Sequence, residues 1–285
     1  MRTVWGTVFA AALVAAISVG SARAQTQSAV DRGRYLVNTI MTCGNCHTPK
    51  GPGGDLADKA LAGGLRFNEP PFDVTASNIT PDRDTGIGGW SDAAIKKALR
   101  EGVRPNGVRL AEVMPSDFYG IITESDLDAI VAYLRSLPAV QNKLPDPIYK
   151  IALPHQVFPG SEKPFTSADL ADKLKRGFYL ATIGHSMECH TPMTKQGIDY
   201  RSQMGKGGRE FPGPWGVSKS VNITSHPAAG IGAWSDAEIR RAITQGVSRD
   251  GRKMLPPMGY GYYAAMTEDD LDALVAWLRT VPPLQ

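Results

Sequence analysis

The chain repeats itself at an offset of 144 residues, and that repeat limits the folds open to it more than any other feature. Asn78-Ile79-Thr80 recurs as Asn222-Ile223-Thr224, and Gly86-Ile87-Gly88-Gly89-Trp90-Ser91-Asp92 as Gly230-Ile231-Gly232-Ala233-Trp234-Ser235-Asp236. Thr123–Ala129 matches Thr267–Ala273, and Gly33-x-Tyr35-Leu36 matches Gly177-x-Tyr179-Leu180. One pair slips: Cys46-His47 and Cys189-His190 lie 143 apart. Two copies of one module, each of about 115 residues, explain most of the chain. The predicted modules are residues 25–140 and 166–285. Between them, 141–165 carries Pro145, Pro147, Pro154, Pro159 and Pro164, which reads as a semi-rigid linker.

Each copy shows three amphipathic segments separated by long loops. The first helix is predicted over about 29–41, with Val30, Gly33, Val37 and Ile40 near one face, and its counterpart over about 169–183. The middle helix opens on the N-cap Ser91 and ends before Gly102. Its partner has the capping box Ser235-x-x-Glu238 and ends before Gly246. The last helix opens on Thr123, places Leu127, Ile130, Val131 and Leu134 at i, i+3, i+4, i+7, and stops at Pro138. The second copy repeats this from Thr267 to Pro282. Few segments alternate long enough to be strands, so the predicted fold class is all-α. Three short helices bury little apolar area, so something else should fill each core.

Residues 1–24 read as an export signal. A basic start at Arg2 precedes an apolar run to about Val19 and the small-residue pattern Ala22-x-Ala24, which predicts cleavage before Gln25. The run is shorter than the ~20 residues needed to cross hydrocarbon, and no later stretch is apolar enough to do so. The expected location is the periplasm, with no membrane span after cleavage. The formal charge of +3 reflects 31 basic and 28 acidic residues; losing Arg2 and Arg23 with the signal leaves +1. A near-neutral chain without basic runs argues against nucleic-acid binding. With 42% hydrophobic and 21% charged residues the composition is globular, not disordered. Three cysteines cannot form a complete disulfide framework.

Cys43-Gly44-Asn45-Cys46-His47 is a C-x-x-C-H sequence, the attachment pattern of c-type haem. Its two thiols suit the two vinyl groups on one porphyrin edge, and His47 presents an imidazole to the iron. Zinc would need two more N/S ligands, and a redox C-x-x-C would sit in a βαβ pattern that is missing here. A sixth iron ligand should come from the loop after the middle helix. Met114 lies nine residues before Thr123, and the same count back from Thr267 gives Met258, with Met254 as the runner-up. The remaining methionines lack a counterpart at the repeat offset and read as core. His155 falls in the linker and His226 in a loop. Asn78 and Asn222 would either bond a haem propionate or order a loop.

The second motif reads Ser186-Met187-Glu188-Cys189-His190, with serine where the first thiol should be. A hydroxyl forms no thioether. Cys189 could still make one bond and His190 could still ligate, and a non-covalent haem or an empty module are the alternatives.

These residues, with Asn78-Ile79-Thr80-Pro81-Asp82, Met114-Pro115 and Leu127–Pro138 and their counterparts, make the chain resemble an exported bacterial di-haem cytochrome c. It is similar to the cytochrome subunits of periplasmic dehydrogenases. The resemblance implies two tandem cytochrome c-type haem domains, His/Met iron ligation by His47 with Met114 and His190 with Met258, and single-electron transfer. The implied cofactor is haem c, two copies, the first held by Cys43 and Cys46 and the second by Cys189 alone. The implied partners are a dehydrogenase donor and a cytochrome or oxidase acceptor. No nucleophile triad, paired carboxylates or phosphate loop argues for other catalysis, so the chain reads as a carrier rather than an enzyme. The alternatives are a di-haem peroxidase, or a mono-haem cytochrome with a haem-free second module.

Overall fold

The computed structural model describes residues 25–153, 155–213 and 215–285; the expected signal, 1–24, lies outside them. In the first module α1 (25–35) runs into a π-helical turn, Leu36–Ile40. Helix α2 (Gly44–His47) carries the first motif, followed by the hairpins β1 (Lys50–Gly51)–β2 (Gly54–Asp55) and β3 (Arg66–Glu69)–β4 (Phe72–Thr75). Helices α3 (Asp92–Glu101) and α4 (Glu124–Ser136) flank a 3-10 segment, Ser116–Ile121. Strand β5 (Ile148–Tyr149) lies between the modules.

The second module follows the same order. Helices α5 (Ser167–Ala171) and α6 (Lys173–Ile183) precede α7 (Ser186–Cys189), and the hairpins are β6 (Met193–Thr194)–β7 (Gly197–Ile198) and β8 (Glu210–Gly213)–β9 (Gly216–Lys219). Helices α8 (Asp236–Gln245), α9 (Tyr260–Tyr263) and α10 (Glu268–Leu278) complete it. The helix predicted over 169–183 breaks at Asp172, whose side chain accepts from Lys175 N and so starts α6 as a new N-cap.

The all-α expectation is corrected. Helix makes up 37% and strand 12%, and among the described residues the strands form four small sheets. Each strand is two to four residues long, too short for period-two alternation to stand out in sequence. In the first module the local signal is instead Pro52-Gly53 and Pro70-Pro71 in the turns that close the two hairpins.

The predicted caps form. Ser91 Oγ accepts from Ala94 N, Thr123 Oγ1 from Asp126 N, and Ser235 and Glu238 close a full capping box. Gly102 and Gly246 end α3 and α8 at φ 63° and 64°, the left-handed conformation that favours glycine at this position. The outer helices of each module cross at a glycine. A Cβ on Gly33 would sit 1.9 Å from Ala129 O, and one on Gly177 2.0 Å from Ala273 O. Only a bare Cα allows α1 to meet α4, and α6 to meet α10, this closely.

The π-turn explains the one-residue slip of the motif. Tyr35 and Tyr179 keep the 144 offset, whereas the motifs beyond the turn are 143 apart. A π-turn holds one residue more than the α-helical turn it replaces, and α6 runs α-helical to Ile183 where the first module has Leu36–Ile40.

A single apolar cluster runs through both modules, including Leu36, Ile40, Leu127 and Ile130 from the first and Leu180, Ile183 and Leu271 from the second. The proline-rich segment takes part in it. Phe158 is buried and stacks on Phe118 at 4.8 Å, while Tyr200 meets it edge-on at 5.0 Å. Farther back, Ile148 and Tyr149 add a third strand to β3–β4, with Phe72 opposite Tyr149 and Asp73 opposite Ile148. The segment predicted as a spacer therefore packs on both sides.

Candidate haem sites

Both motifs are reached through a sharp backbone reversal. Thr42 (φ 50°) and His185 (φ 42°), equivalent at the 143 offset, are two of the three non-glycine residues with positive φ among those described. Such conformations persist where the surroundings hold them, often at functional sites. Cys43 caps α2, which carries Cys46 and His47. Ser186 opens α7, Cys189 ends it and His190 follows.

The two histidines are held alike. His47 Nδ1 lies 2.6 Å from Ser77 O, and His190 Nδ1 lies 2.7 Å from Val221 O. A ring nitrogen facing a carbonyl must carry the proton, which leaves Nε2 with its lone pair free. Burial lowers the pKa of both imidazoles, so both are neutral at pH 7. A neutral, oriented imidazole with an anchored Nδ1–H is the form that ligates a metal. The loops fix it further: His47 O accepts from Gly63 N at 2.6 Å and His190 O from Gly207 N at 2.7 Å. Thr48 Oγ1 and Thr191 Oγ1 accept from Leu61 N and Gly205 N.

All three cysteines are free thiols at half-buried positions. Burial is the main reason the Cys43 thiol is pushed up to about 12 and Cys46 to about 11. Cys46 also feels the charge of Glu188 and of Cys189 from the other motif, so the two attachment turns approach each other across the module boundary. A methyl group on Gly44 would meet the Tyr262 ring at 3.7 Å, and one on Gly259 would meet Thr42 Cγ2 at 3.5 Å. The first motif thus lies against the α9 segment that follows Met258.

Met114 packs half-buried against the core, and Met258 is half-buried in the equivalent loop. The backbone aligns these loops. Leu110 N donates to Gly102 O, and Met254 N to Gly246 O, each at 2.7 Å. Met254 is therefore the counterpart of Leu110, and Met258 remains paired with Met114.

Other polar residues resolve as loop anchors. Asn78 Nδ2 donates to Val140 O and Thr85 Oγ1, and its Oδ1 accepts from Thr80 N and Oγ1. Asn222 bonds Leu284 O and Thr224 in the same way. Of the two roles open to these asparagines, ordering a loop is the one the bonds show. His226 Nδ1 accepts from Ala228 N and Ala229 N, and His155 pairs with Asp117 at 2.6 Å. Two arginines escaped sequence reasoning. Arg135 donates to Ile87 O, Trp90 O and Asp92, and Arg279 to Ile231 O, Trp234 O and Asp236. They lock the tryptophan loops, and their shared 144 offset was the available signal. Among the described residues no three His, Cys, Asp or Glu side chains cluster as a metal site, so the zinc reading has no donor set.

The donor set fits haem: an oriented neutral imidazole in each module, thiols beside it, and a thioether-bearing loop at matched positions. The family described as cytochrome c oxidase, cbb3-type, subunit III matches residues 28–134. The fructose dehydrogenase cytochrome subunit of Gluconobacter japonicus is 31% identical over 271 residues, covering 89% of this chain and 52% of that protein. The alcohol dehydrogenase (quinone) cytochrome c subunit of Gluconacetobacter polyoxogenes is 30% identical over 293 residues, with 93% and 59% covered. A diheme cytochrome c-type protein of Cereibacter sphaeroides is 28% identical over 257 residues, with 85% and 83% covered. The chain spans about half to three fifths of the length of the first two relatives. With motif, geometry and relatives in agreement, the chain belongs to the cytochrome c family and is similar to the cytochrome c subunits of dehydrogenases.

Proposed function

We propose that this chain is an exported, two-haem electron relay that takes single electrons from a dehydrogenase and passes them to a respiratory acceptor. The observation that carries the reading is the matched anchoring of His47 on Ser77 O and His190 on Val221 O. A module that had lost its cofactor would have no reason to keep its imidazole neutral, buried and aimed.

Bound haem would supply a one-electron iron couple. In the first module Cys43 and Cys46 would hold the porphyrin edge, and His47 and Met114 would ligate the iron. In the second, Cys189 alone would give a thioether, with His190 and Met258 as the iron ligands. With two protein ligands on each iron no site would be left open to substrate, and thioether ligation would favour the reduced iron. The attachment turns meet at the module boundary, which suits transfer between the two centres within one chain. Export rests on the signal-like 1–24 segment, and no described helix is long and apolar enough to cross a membrane. The modules are 25–140 and 166–285.

The test is the haem-to-protein ratio of the mature protein together with its intact mass and a potentiometric titration. Two haems and two one-electron steps, with no peroxide turnover, are expected. One haem, or peroxide-dependent turnover by the reduced protein, overturns the reading.

A further inference from the structure

The two motif histidines are anchored alike, but what lies behind each anchor differs. His47 Nδ1 faces Ser77 O at 2.6 Å and His190 Nδ1 faces Val221 O at 2.7 Å, and the 144 offset makes Ser77 and Val221 equivalent. In the first module the anchor residue carries a hydroxyl, and Arg104 Nη2 donates to Ser77 Oγ at 3.2 Å. A guanidinium therefore reaches the same residue whose carbonyl orients the imidazole. The valine side chain at 221 has no acceptor to offer a counterpart.

The turn that presents Arg104 occurs twice. Arg104 N donates to Val108 O and Gly107 N to Arg104 O, both at 2.9 Å, and Val103 bridges to Arg109. In the second module Ser248 N donates to Arg252 O and Gly251 N to Ser248 O, both at 3.0 Å, and Val247 bridges to Lys253. The two turns share one bonding pattern, so Ser248 stands where Arg104 stands. Its buried hydroxyl donates to Asp250 Oδ1 and Arg252 O within its own turn. Nearby cations of the second module are engaged elsewhere. Arg249 Nε lies 3.4 Å from Glu238 Oε1 on α8, and Arg209 sits with Glu188, the two acting on Tyr200 with opposite sign.

Arg104 is held there at a cost. Among the described residues Ser77 Oγ is its side-chain partner, and its Nε is buried without one. An unsatisfied buried donor is destabilising by itself, so stability gives no reason for an arginine at this place. Its charge is felt nearby: burial raises the Tyr149 phenol, and Arg104 offsets part of that rise. We propose that Arg104 is a positioning residue that raises the potential of the first haem, acting from Ser77 on the His47 side, and that Val221 and Ser248 leave the second haem without this lift. Oxidation of the iron adds a positive charge to the centre, and a fixed cation in a partly buried site opposes that addition. Local charge and the bonds behind a ligand are among the levers by which a protein sets a haem potential. Arginine keeps its charge at every working pH, so the lift is constant. The proposal rests on the relay reading above and makes its two centres unequal: Arg104 draws an electron shared by the haems toward the first module.

Potentiometric titration of the haem-loaded protein reads both midpoints, and Arg104→Gln, Arg104→Lys and Ser77→Ala are compared with the unaltered chain. In Arg104→Gln one midpoint should fall, with the ferric-to-ferrous ratio at fixed ambient potential rising at least tenfold, about 59 mV for a one-electron couple. The other midpoint should move less than threefold in the same ratio. Arg104→Lys keeps the charge and should hold both midpoints within threefold. Ser77→Ala leaves His47 its carbonyl but frees the guanidinium, and should lower the same midpoint as Arg104→Gln. The near-infrared sulfur-to-iron bands should not change in any of the three. Unmoved midpoints in Arg104→Gln, equal shifts of both, or a fall in Arg104→Lys as large as in Arg104→Gln overturns the proposal. Should Arg104→Gln lose a haem, Ser77→Ala decides, and an unmoved midpoint there overturns it. The relay reading fails separately, on the haem ratio and the number of redox steps of the unaltered protein.

Discussion

The hydroxyl of Tyr179, in the second module, donates to Asp126 Oδ2 of the first at 2.7 Å. Its repeat counterpart does the reverse: Tyr35 of the first module donates to Asp270 Oδ2 of the second at 2.8 Å. Each module thus gives its tyrosine to the other and receives one in return, the reciprocal pattern of a two-fold interface. Arg32 adds a bidentate pair to Asp126, with both bonds at 2.8 Å, whereas Arg176 approaches Asp270 only to 3.8 Å. The interface that brings the two motifs together is therefore held by buried polar groups as well as by the aromatic stack around Phe158.

Tyr179→Phe should destabilise the holo protein by about 1–2 kcal/mol, because Asp126 loses a buried donor. Tyr35→Phe should cost less, since Asp270 is less enclosed on its arginine side. Guanidinium unfolding of both variants and of the double variant checks this, and a cost below that of an exposed Tyr→Phe control would show the bonds to be incidental.

The same tyrosines set an alkaline limit. Burial, then the charge of Asp270 and the bond to it, push Tyr35 up to about 12, and burial with the charge of Asp126 raises Tyr179 well above its ordinary value. A raised folded pKa favours the protonated phenol. Its contribution is complete below the unfolded value near 10 and is lost as pH rises from there through the folded value. Stability should therefore fall from about pH 10 upward, and the Tyr35→Phe/Tyr179→Phe protein should show a flatter profile across that window. Thermal unfolding at stepped pH is the measurement, and parallel profiles would contradict the assignment.

Gly177→Ala should be among the most damaging single changes outside the haem ligands. The added methyl falls 2.0 Å from Ala273 O and 2.6 Å from Trp277 Cβ, so α6 and α10 must separate. Overpacking of this kind costs on the order of 1–3 kcal/mol or more. Holo-protein yield and unfolding midpoint read it, with Gly208→Ala, which meets nothing within 4 Å but has φ 94°, as the control for backbone strain.

Much of this was legible in the sequence, and the exceptions have physical causes. Caps at Ser91, Thr123 and Ser235–Glu238 could be read because a cap is a local bond between residues three apart. The strands could not, since two-residue pairings such as Lys50–Gly51 with Gly54–Asp55 leave no alternation to detect. The motif slip was visible as arithmetic, but its cause, the π-turn at Leu36–Ile40, is a backbone feature without a residue signature. The repeat made Tyr35 equivalent to Tyr179 and Asp126 to Asp270. Equivalence does not say which partner lies across an interface, so the exchange between modules stayed hidden. Met258 was separated from Met254 by counting, and the matched bonds of Leu110 and Met254 place the two loops in that same alignment.

Met114→Ala should remove the weak near-infrared sulfur-to-iron band of the first haem and lower its potential by on the order of 0.1 V, a fraction of the roughly 0.8 V that axial ligands span. Met258→Ala should do the same at the second haem and Met254→Ala should not. An unchanged spectrum in Met114→Ala would make that residue a core side chain.

The serine at 186 yields the sharpest outcome. Ser186 occupies the position of Cys43 at the first turn of the motif helix, and Arg209 Nη1 holds the following turn through Glu188 O at 2.5 Å. A hydroxyl cannot add to a vinyl carbon to form a thioether, so covalent attachment in this module would depend on Cys189. One vinyl group would then stay unsaturated, and the reduced pyridine-haemochrome band should lie between the b-type and c-type positions. Acidified organic solvent should leave both haems on the chain, whereas Cys189→Ala should release one. Ser186→Cys places a second thiol at the same helical position without touching His190 or Met258. It should move the band to the full c-type position and leave the near-infrared band where it was. If the band does not move, the side chain at 186 faces away from the haem edge. If one haem is extracted from the wild-type protein, the second is bound without a covalent link and Cys189 is a bystander.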